Sequence, residues 1–195
     1  MVVSGLLLTI PPRVLSFGTV NTIGQKTEHE HITRAALACP PGTKSSGDCF
    51  EPLSLSQLAG TSGTLGAVGA PDAFPIEEPA PAHCDDADFF DSAAYNPAKP
   101  YPVSREAATF ALQVCIAHLQ LRFEEGKSSA KGLLDSKDRI IKSEVDLLGG
   151  GECTFVPALK GRAKCNVFDG LGRILHGIQD FYSHSQYSVL LMIVI

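Results

Sequence analysis

Several signatures of common protein classes are missing from this 195-residue sequence. No basic run interleaved with aromatic residues occurs, and the net charge of -5 argues against a surface that attracts nucleic acid. Bound divalent metals would nevertheless supply positive charge to a nuclease. The glycines match neither phosphate-binding fingerprint, and no Ser/His/Asp triad, internal repeat or bilayer-length apolar run is present. The nucleotide-binding, repeat and membrane-spanning classes are therefore without support.

The composition is typical of one globular domain. Hydrophobic residues make up 44% and charged residues 19% of the chain, and 195 residues can bury a sizeable core. An apolar run near the N-terminus predicts a signal or leader segment over residues 1–16, cleaved before Phe17. We expect a single domain over residues 17–187, followed over 188–195 by an apolar tail of truncated or atypical character.

Cysteine usage predicts an oxidising compartment. The six cysteines include no C-x-x-C pair, which favours disulfide bonds in a secreted or extracellular protein over a zinc ribbon. Since six cysteines allow fifteen pairings, proximity along the sequence is the guide. The pairs it suggests are Cys39–Cys49, Cys153–Cys165 and, from the remainder, Cys84–Cys115. The alternative is six buried free thiols in a cytosolic protein.

Helical periodicity and capping signals predict an all-α fold, a multi-helix bundle with long Gly/Pro-rich loops and disulfide staples. Thr27, with Glu30 at the capping-box spacing, and Ser104 are the predicted N-caps. The predicted helices cover residues 27–39, 54–58, 85–94, 104–126 with a further helix to 134, and 166–185, while loops cover 60–82 and 136–166, the latter with an extended piece over 139–145. The predicted core side chains of the 104–126 helix are Phe110, Val114, Cys115, Ile116, Leu119, Leu121 and Phe123.

Three metal-ligating residues recur every four positions in the last predicted helix: His176, Asp180 and His184. On a helix they lie along one face, with the two histidines about 12 Å apart along the axis. Zinc–ligand bonds are only about 2.0–2.2 Å long, so one ion cannot reach both histidines, whereas Asp180 can serve ions on either side. The spacing therefore predicts a cluster of metal ions.

The same face has a simpler interpretation as a solvated surface. An apolar stripe lies on the other side of the helix, and a polar face opposite such a stripe is commonly exposed to water. The stripe consists of Val167, Leu171, Ile174, Leu175, Ile178, Phe181 and Tyr182. Three helical glycines, Gly170, Gly172 and Gly177, oppose this interpretation. Each costs about 1 kcal/mol in a helix interior, which suggests close approach of other backbone or of a ligand.

Upstream residues extend the set of candidate ligands with His29, Asp72 and His83. Each alone is a weak signal, but together with the C-terminal ladder they form three His/Asp clusters in a chain of only six histidines. His31 is predicted to lie on another helix face and to be exposed. His118 lies in an apolar helix and is interpreted as a core or surface residue.

The pattern of these clusters resembles the zinc-dependent phospholipase C family. The matching parts are His29-x-x-Ile32-Thr33, Pro71-Asp72, His83-Cys84-Asp85 and His176-x-x-x-Asp180-x-x-x-His184. The stretch from Leu171 to Ser185 is more closely similar to the HET-C-like branch, which includes fungal heterokaryon-incompatibility proteins. The chain, over residues 17–187, also resembles secreted actinobacterial and fungal proteins encoded near cinnamycin-type lantibiotic genes.

The resemblance implies a helical bundle around a tri-zinc cleft, in which zinc-bound hydroxide attacks a phosphodiester. The expected substrate is a phospholipid, reached through peripheral membrane contact, or another phosphodiester. Asp72 or Asp180 would take a proton from the attacking water. The sequence indicates no oligomeric state.

The family's metal ligands carry over by position, for two or three Zn²⁺ ions. The first zinc would be bound by His29 and the bridging Asp180, the second by Asp72, His83, His176 and Asp180, and the third by His184. In the family, the third zinc also needs a His and a Glu downstream of the position that matches His184. No His or Glu follows His184 in this sequence, so the third site is incomplete.

Three functions are consistent with the sequence. The first is a secreted metal-dependent phosphodiester hydrolase of phospholipase C-like or nuclease-like type. The second is a non-catalytic, metal-stabilised HET-C-like domain with a recognition, incompatibility or accessory role, which the incomplete third site favours. The third is a disulfide-stapled helical protein that binds no metal.

Overall fold

The computed structural model describes residues 17–22, 25–61, 64–73, 78–87, 104–145, 153–156, 159 and 161–184, apart from the side chains of 21, 22, 25 and 184. The expected leader over residues 1–16 and the apolar tail over 188–195 lie outside these ranges. The elements are β1 Asn21–Thr22, β2 Gln25–Lys26, α1 Glu28–Leu37, α2 Pro52–Ala59, α3 Ala80–His83, α4 Arg105–Ala130, α5 Lys142–Val145 and α6 Ala163–His184, with 3-10 turns at Ala70–Asp72 and Lys131–Leu133. Within the described ranges the fold is helical, as predicted, and β1 and β2 form a two-residue antiparallel hairpin.

Helix α1 begins where the sequence predicts, but its N-terminus is stabilised differently. Thr27 occupies the N-cap position in the left-handed region, with φ of 53°, and its side chain makes no capping bond. The carboxylate of Glu28 instead accepts hydrogen bonds from the backbone N–H groups of Lys26 and Gly18. The predicted capping box is therefore wrong, and α1 is tied to the preceding segment by Glu28.

Helix α4 confirms the predicted N-cap, because Ser104 Oγ accepts a hydrogen bond from the N–H of Ala107 at 3.2 Å. The helix continues through Gly126 to Ala130, and a 3-10 turn replaces the further helix expected up to residue 134. Gly126 lies inside the helix, where it packs against Val167 and Gly170 of α6.

Two other local predictions differ from the structure. The extended piece expected over residues 139–145 contains the short helix α5. Residues 85–87, expected to be helical, form a turn, and the rest of the segment predicted to reach residue 94 lies outside the described ranges. Cys84 has a φ of 54° at the end of α3, and this left-handed residue stops the helix before Asp85.

Glycines on α6 allow the two longest helices to pack closely. A Cβ added at Gly170 would lie 2.7 Å from the carbonyl oxygen of Arg122 and 2.8 Å from Cα of Gly126. Atoms of the α4 backbone thus occupy the space that any larger side chain at position 170 would need. The close approach suggested by this glycine is confirmed.

The three predicted disulfide bonds are all present: Cys39–Cys49, Cys84–Cys115 and Cys153–Cys165. Two of them close short local loops, with sequence separations of 10 and 12. The third joins the C-terminal end of α3 to the middle of α4 across a separation of 31 residues. It therefore attaches the short helix that carries His83 to the main helical pair.

The apolar core is small and partly differs from the predicted one. One cluster contains Leu58, Ala67 and Phe168, and a second contains Cys84, Ala87 and Cys115. Phe110, Ile116, Leu121 and Phe123, all predicted core residues, are exposed, with Phe110 at 68%. Helix α4 buries only the side that bears its small residues, because that side faces α6 and α3. No helix of the described part is both long and apolar enough to span a membrane.

The α4–α6 contact gives a matched pair of glycine substitutions. Gly126→Ala places a Cβ at an ordinary distance of 3.4 Å from the carbonyl of Val167, so helix propensity should leave the free energy of unfolding unchanged or raise it by up to about 1 kcal/mol. Gly170→Ala should lower it by about 1–2 kcal/mol, because overpacking against backbone outweighs the same gain in propensity. Urea unfolding of both variants measures the difference, and equal effects of the two substitutions would contradict the proposed packing.

Candidate metal centre

The structure brings five of the six candidate ligands together. They come from four separate parts of the chain: His29 from α1, Asp72 from the first 3-10 turn, His83 from α3, and His176 and Asp180 from α6. The side chain of His184, at the last position of α6, lies outside the described part. The segments that meet here are separated by up to about 150 positions in the sequence, as in the pair His29 and Gln179.

The carboxylate of Asp180 is the centre of the cluster. Its side chain is 2% exposed, and its Oδ2 lies 2.9 Å from both His83 Nδ1 and His176 Nε2. Its other oxygen, Oδ1, lies 3.2 Å from His29 Nε2. Three imidazoles therefore surround one buried carboxylate.

Asp72 adds a second carboxylate to the cluster and forms a group of three donor atoms with His83 and His176. Its Oδ1 lies 3.6 Å from His83 Nδ1 and 3.5 Å from His176 Nε2, while the two histidine nitrogens are 2.9 Å apart. In a tetrahedral zinc site with bonds of about 2.0–2.1 Å, neighbouring ligand atoms lie about 3.3–3.4 Å apart. The donor atoms of Asp72, His83 and His176 are thus close to the spacing that one metal ion requires.

In His29 and His176, the ring nitrogen that faces away from Asp180 makes a hydrogen bond, and this bond fixes which nitrogen faces the cluster. His176 Nδ1 lies 2.9 Å from the carbonyl oxygen of Val68, which can only accept, so this nitrogen carries the proton. Gln179 donates through Nε2 to Thr33 Oγ1, and its Oε1 therefore accepts from His29 Nδ1 at 2.7 Å. In both neutral rings the lone pair of Nε2 points at the carboxylate of Asp180.

Such an arrangement is stable only with a cation between the rings and the carboxylate. Two lone pairs that face each other repel, and His29 Nε2 is a buried nitrogen without a hydrogen bond among the described residues. A proton on Nε2 or a metal ion would turn this repulsion into attraction. Metal-ligating histidines usually donate their other ring N–H to an oxygen acceptor, as His29 and His176 do here. The buried His/Asp groups can therefore bind a metal ion.

The titration of the metal-free cluster reflects the same electrostatics. Burial alone would lower the pKa of His29 and of His83, but hydrogen bonding and attraction to Asp180 outweigh it and raise both pKa values. For Asp180, burial would raise the pKa, but the hydrogen bonds from His176, His29 and His83 hold it well below its usual range. Without metal, protons on the histidines are the compensating charges.

Glycines of α6 let the ligand-bearing segments approach the helix. A Cβ at Gly172 would lie 2.4 Å from the backbone of Ala67, and one at Gly177 would lie 2.7 Å from the carbonyl oxygen of Ala82. Ala67 precedes Val68, the partner of His176, and Ala82 precedes His83. Close contact at these two glycines therefore positions Val68, the hydrogen-bond partner of His176, and His83, a candidate ligand.

The polar face of α6 is buried, so its interpretation as a solvated surface is wrong. His176, Asp180 and Arg173 on this face are 2% exposed or less. Ile178 and Tyr182 of the predicted apolar stripe are 41% and 51% exposed. The reason is that α1, α3 and the loop around Val68 cover the side that carries the ligands.

A short N-terminal segment closes the cluster beside His29. The backbone N–H of Phe17 donates to Ser183 Oγ at 2.9 Å, and the ring of Phe17 meets the His29 ring edge-on, with centroids 6.1 Å apart. The N–H of His29 donates to the carbonyl of Gly18 at 3.4 Å. This segment shields His29 from solvent.

Sequence reasoning missed the side chains that support the ligands. Gln179 and Thr33 orient His29, and a buried Arg173 forms an ion pair with Glu78. Two signals in the sequence could have identified these side chains. Gln179 is next to Asp180, and the charged Arg173 lies on the helix face opposite the apolar stripe. His31 is exposed, as predicted, and His118 is half-buried with its Nε2 3.8 Å from Glu78 Oε2.

Comparisons with protein-family models, curated protein sequences and solved structures found no match to this chain. The chemistry of the clustered side chains is therefore the basis for assigning a function.

In the absence of metal, the His/Asp cluster should make the free energy of unfolding of the protein depend on pH. The raised pKa values of His29 and His83 contribute stability that is complete below their unfolded value of about 6.5 and is lost as pH rises through the folded values. The lowered pKa of Asp180 contributes stability above about pH 3.9 that is lost on acidification. In EDTA the melting temperature should therefore be highest between about pH 4 and 6.5 and should fall towards pH 8.5.

Asp180→Asn should flatten the alkaline part of this profile, because it removes the carboxylate that raises both histidine pKa values. His31→Gln, an exposed change on α1, is the control and should keep the wild-type profile. Melting curves by circular dichroism in EDTA provide the measurement. A melting temperature that rises from pH 6.5 to 8.5 in EDTA would show that the cluster does not hold protons in this way.

Proposed function

We propose that the protein is a zinc-dependent phosphodiester hydrolase built on a helical bundle of the zinc-dependent phospholipase C type. The observation that carries the proposal is the convergence of three imidazoles and two carboxylates, with the lone pairs of His29 and His176 directed inward by their outer hydrogen bonds. Histidine and carboxylate are the ligands that catalytic zinc sites use. The three disulfide bonds fit the expected secreted location.

The donor atoms support two neighbouring metal positions. His176 has one free lone pair, because its Nδ1 proton is bonded to Val68, so it can serve one ion only. Asp180 has two oxygens directed at different histidines and can bridge two ions. One position would then use Asp72, His83, His176 and Asp180, and the other would use His29 and Asp180.

The two carboxylates suit different tasks. Asp180 is buried among the imidazoles and holds the cluster together, whereas the side chain of Asp72 is 30% exposed and can meet a substrate or water. We assign proton abstraction from the attacking water to Asp72, since a general base must reach the proton it takes. Bound zinc would lower the pKa of water and stabilise the charge of the phosphate oxygens.

A second candidate is a non-catalytic domain that zinc stabilises and that serves recognition. The observation in its favour is the burial of His29, His176 and Asp180, and the first proposed position would have four protein donors. Structural zinc sites are closed by four protein ligands, whereas catalytic sites keep a position for water. This alternative predicts zinc-dependent stability without hydrolysis.

Metal content distinguishes these functions from a protein that binds no metal. Plasma mass spectrometry of the purified, oxidised chain should find two zinc ions per molecule, one for each of the two proposed positions. Asp180→Ala should lose zinc because it removes the shared ligand, whereas His31→Ala should retain it. Absence of stoichiometric metal from the wild-type protein after reconstitution with zinc would overturn both functions.

Hydrolysis of bis(p-nitrophenyl) phosphate and of phosphatidylcholine vesicles tests the enzymatic function. At saturating zinc, Asp72→Asn should lower kcat about 10²–10⁴-fold, the usual contribution of a general base. His31→Ala should keep wild-type kcat. Zinc-loaded wild-type protein that hydrolyses neither substrate, yet melts at a higher temperature than the metal-free form, would favour the recognition domain instead.

A further inference from the structure

Arg173 lies on the buried face of α6, one turn before His176, and is 1% exposed. Its guanidinium pairs with the carboxylate of Glu78 and, through Nε, with Asp169 Oδ1 at 2.8 Å. Its Nη2 donates to the carbonyl oxygen of Phe155 at 3.1 Å. A buried guanidinium needs such compensation for its lost hydration. Arg173 consequently connects α6 to two other segments of the chain.

Glu78 stands between two ligand-bearing segments. Its backbone N–H donates to the carbonyl of Pro71 at 2.9 Å, immediately before Asp72. Helix α3 starts two residues after Glu78 and ends at His83. The side chain of Glu78 is 10% exposed and is directed at Arg173. The ion pair thus attaches the segments of Asp72 and His83 to the helix that carries His176.

We infer that Arg173 is a positioning residue for the metal position formed by Asp72, His83, His176 and Asp180, and that it acts through Glu78. This inference rests on the proposed metal-binding function. His29 has a different anchor, because Gln179 of α6 and the backbone of Gly18 hold it. Loss of the ion pair should release Asp72 and His83 while one ion remains on His29, His176 and Asp180.

Asp169 offers a matched control for Glu78. Both carboxylates pair with the guanidinium of Arg173. Asp169, however, lies on α6 itself, four residues before Arg173, so its ion pair with Arg173 attaches no other segment to α6. Glu78→Gln and Asp169→Asn are near-isosteric and each removes one negative charge. In EDTA both should lower the melting temperature, because each removes one charge that compensates the buried guanidinium. Only Glu78→Gln should weaken one of the two zinc sites, by about tenfold or more.

Zinc affinity is measured by competition with a chromophoric chelator on the full chain with its disulfides intact. Circular dichroism shows whether each variant is folded. If Glu78→Gln does not fold, Arg173→Lys takes its place, because it keeps the charge but cannot bridge Glu78 and the Phe155 carbonyl; the same selective loss is expected. The visible spectrum of bound Co²⁺ reports the four-donor position and should weaken in Glu78→Gln alone.

The outcomes separate this inference from the proposed function. Selective loss of one zinc site in Glu78→Gln, with both sites kept in Asp169→Asn, supports the positioning role. Equal losses in the two variants, or no loss in Glu78→Gln, overturn that role and leave the metal centre standing. A wild-type chain that binds no zinc overturns the proposed function, and the inference with it.

Discussion

The structure depends on the burial of one carboxylate, that of Asp180. Removing an ionised carboxylate from water is costly unless charges and hydrogen-bond donors replace the lost hydration. Here the replacements are imidazoles from His29, His83 and His176, each of which needs a proton or a metal ion to be attractive. Because two of these rings come from other helices, the fold has to hold α1 and α3 against α6 for the carboxylate to be buried at all.

Contacts outside the cluster support several of the candidate ligands. Val68 fixes the ring of His176, Gln179 fixes His29, and Glu78 attaches the segments on either side of it through Arg173. Such outer hydrogen bonds orient metal ligands and tune their basicity. Proteins rarely bury this many polar groups without a role for them, since hydrophobic residues of similar volume would often be as stable. The organisation therefore favours function over stability as the reason for the cluster.

Local predictions succeeded where neighbouring residues decide the outcome. The start of α4 at Ser104 follows from one side-chain hydrogen bond, and two disulfides follow from cysteines only 10 and 12 residues apart. Predictions of burial were less successful. Phe110 was expected in the core and Tyr182 belongs to the predicted apolar stripe of α6, yet both are exposed. An apolar pattern shows which side of a helix is hydrophobic but not which side its neighbours cover.

The sequence by itself determined that His176 and Asp180 share one face of a helix, since the helical repeat is set by the backbone and needs no partner. It also supplied the glycines that made a purely solvated face doubtful. Only the tertiary structure decided that this face is buried and that His29, Asp72 and His83 reach it. Their meeting depends on backbone contacts at α6 glycines between segments about a hundred positions apart, such as Ala67 with Gly172. No local periodicity encodes contacts of that range.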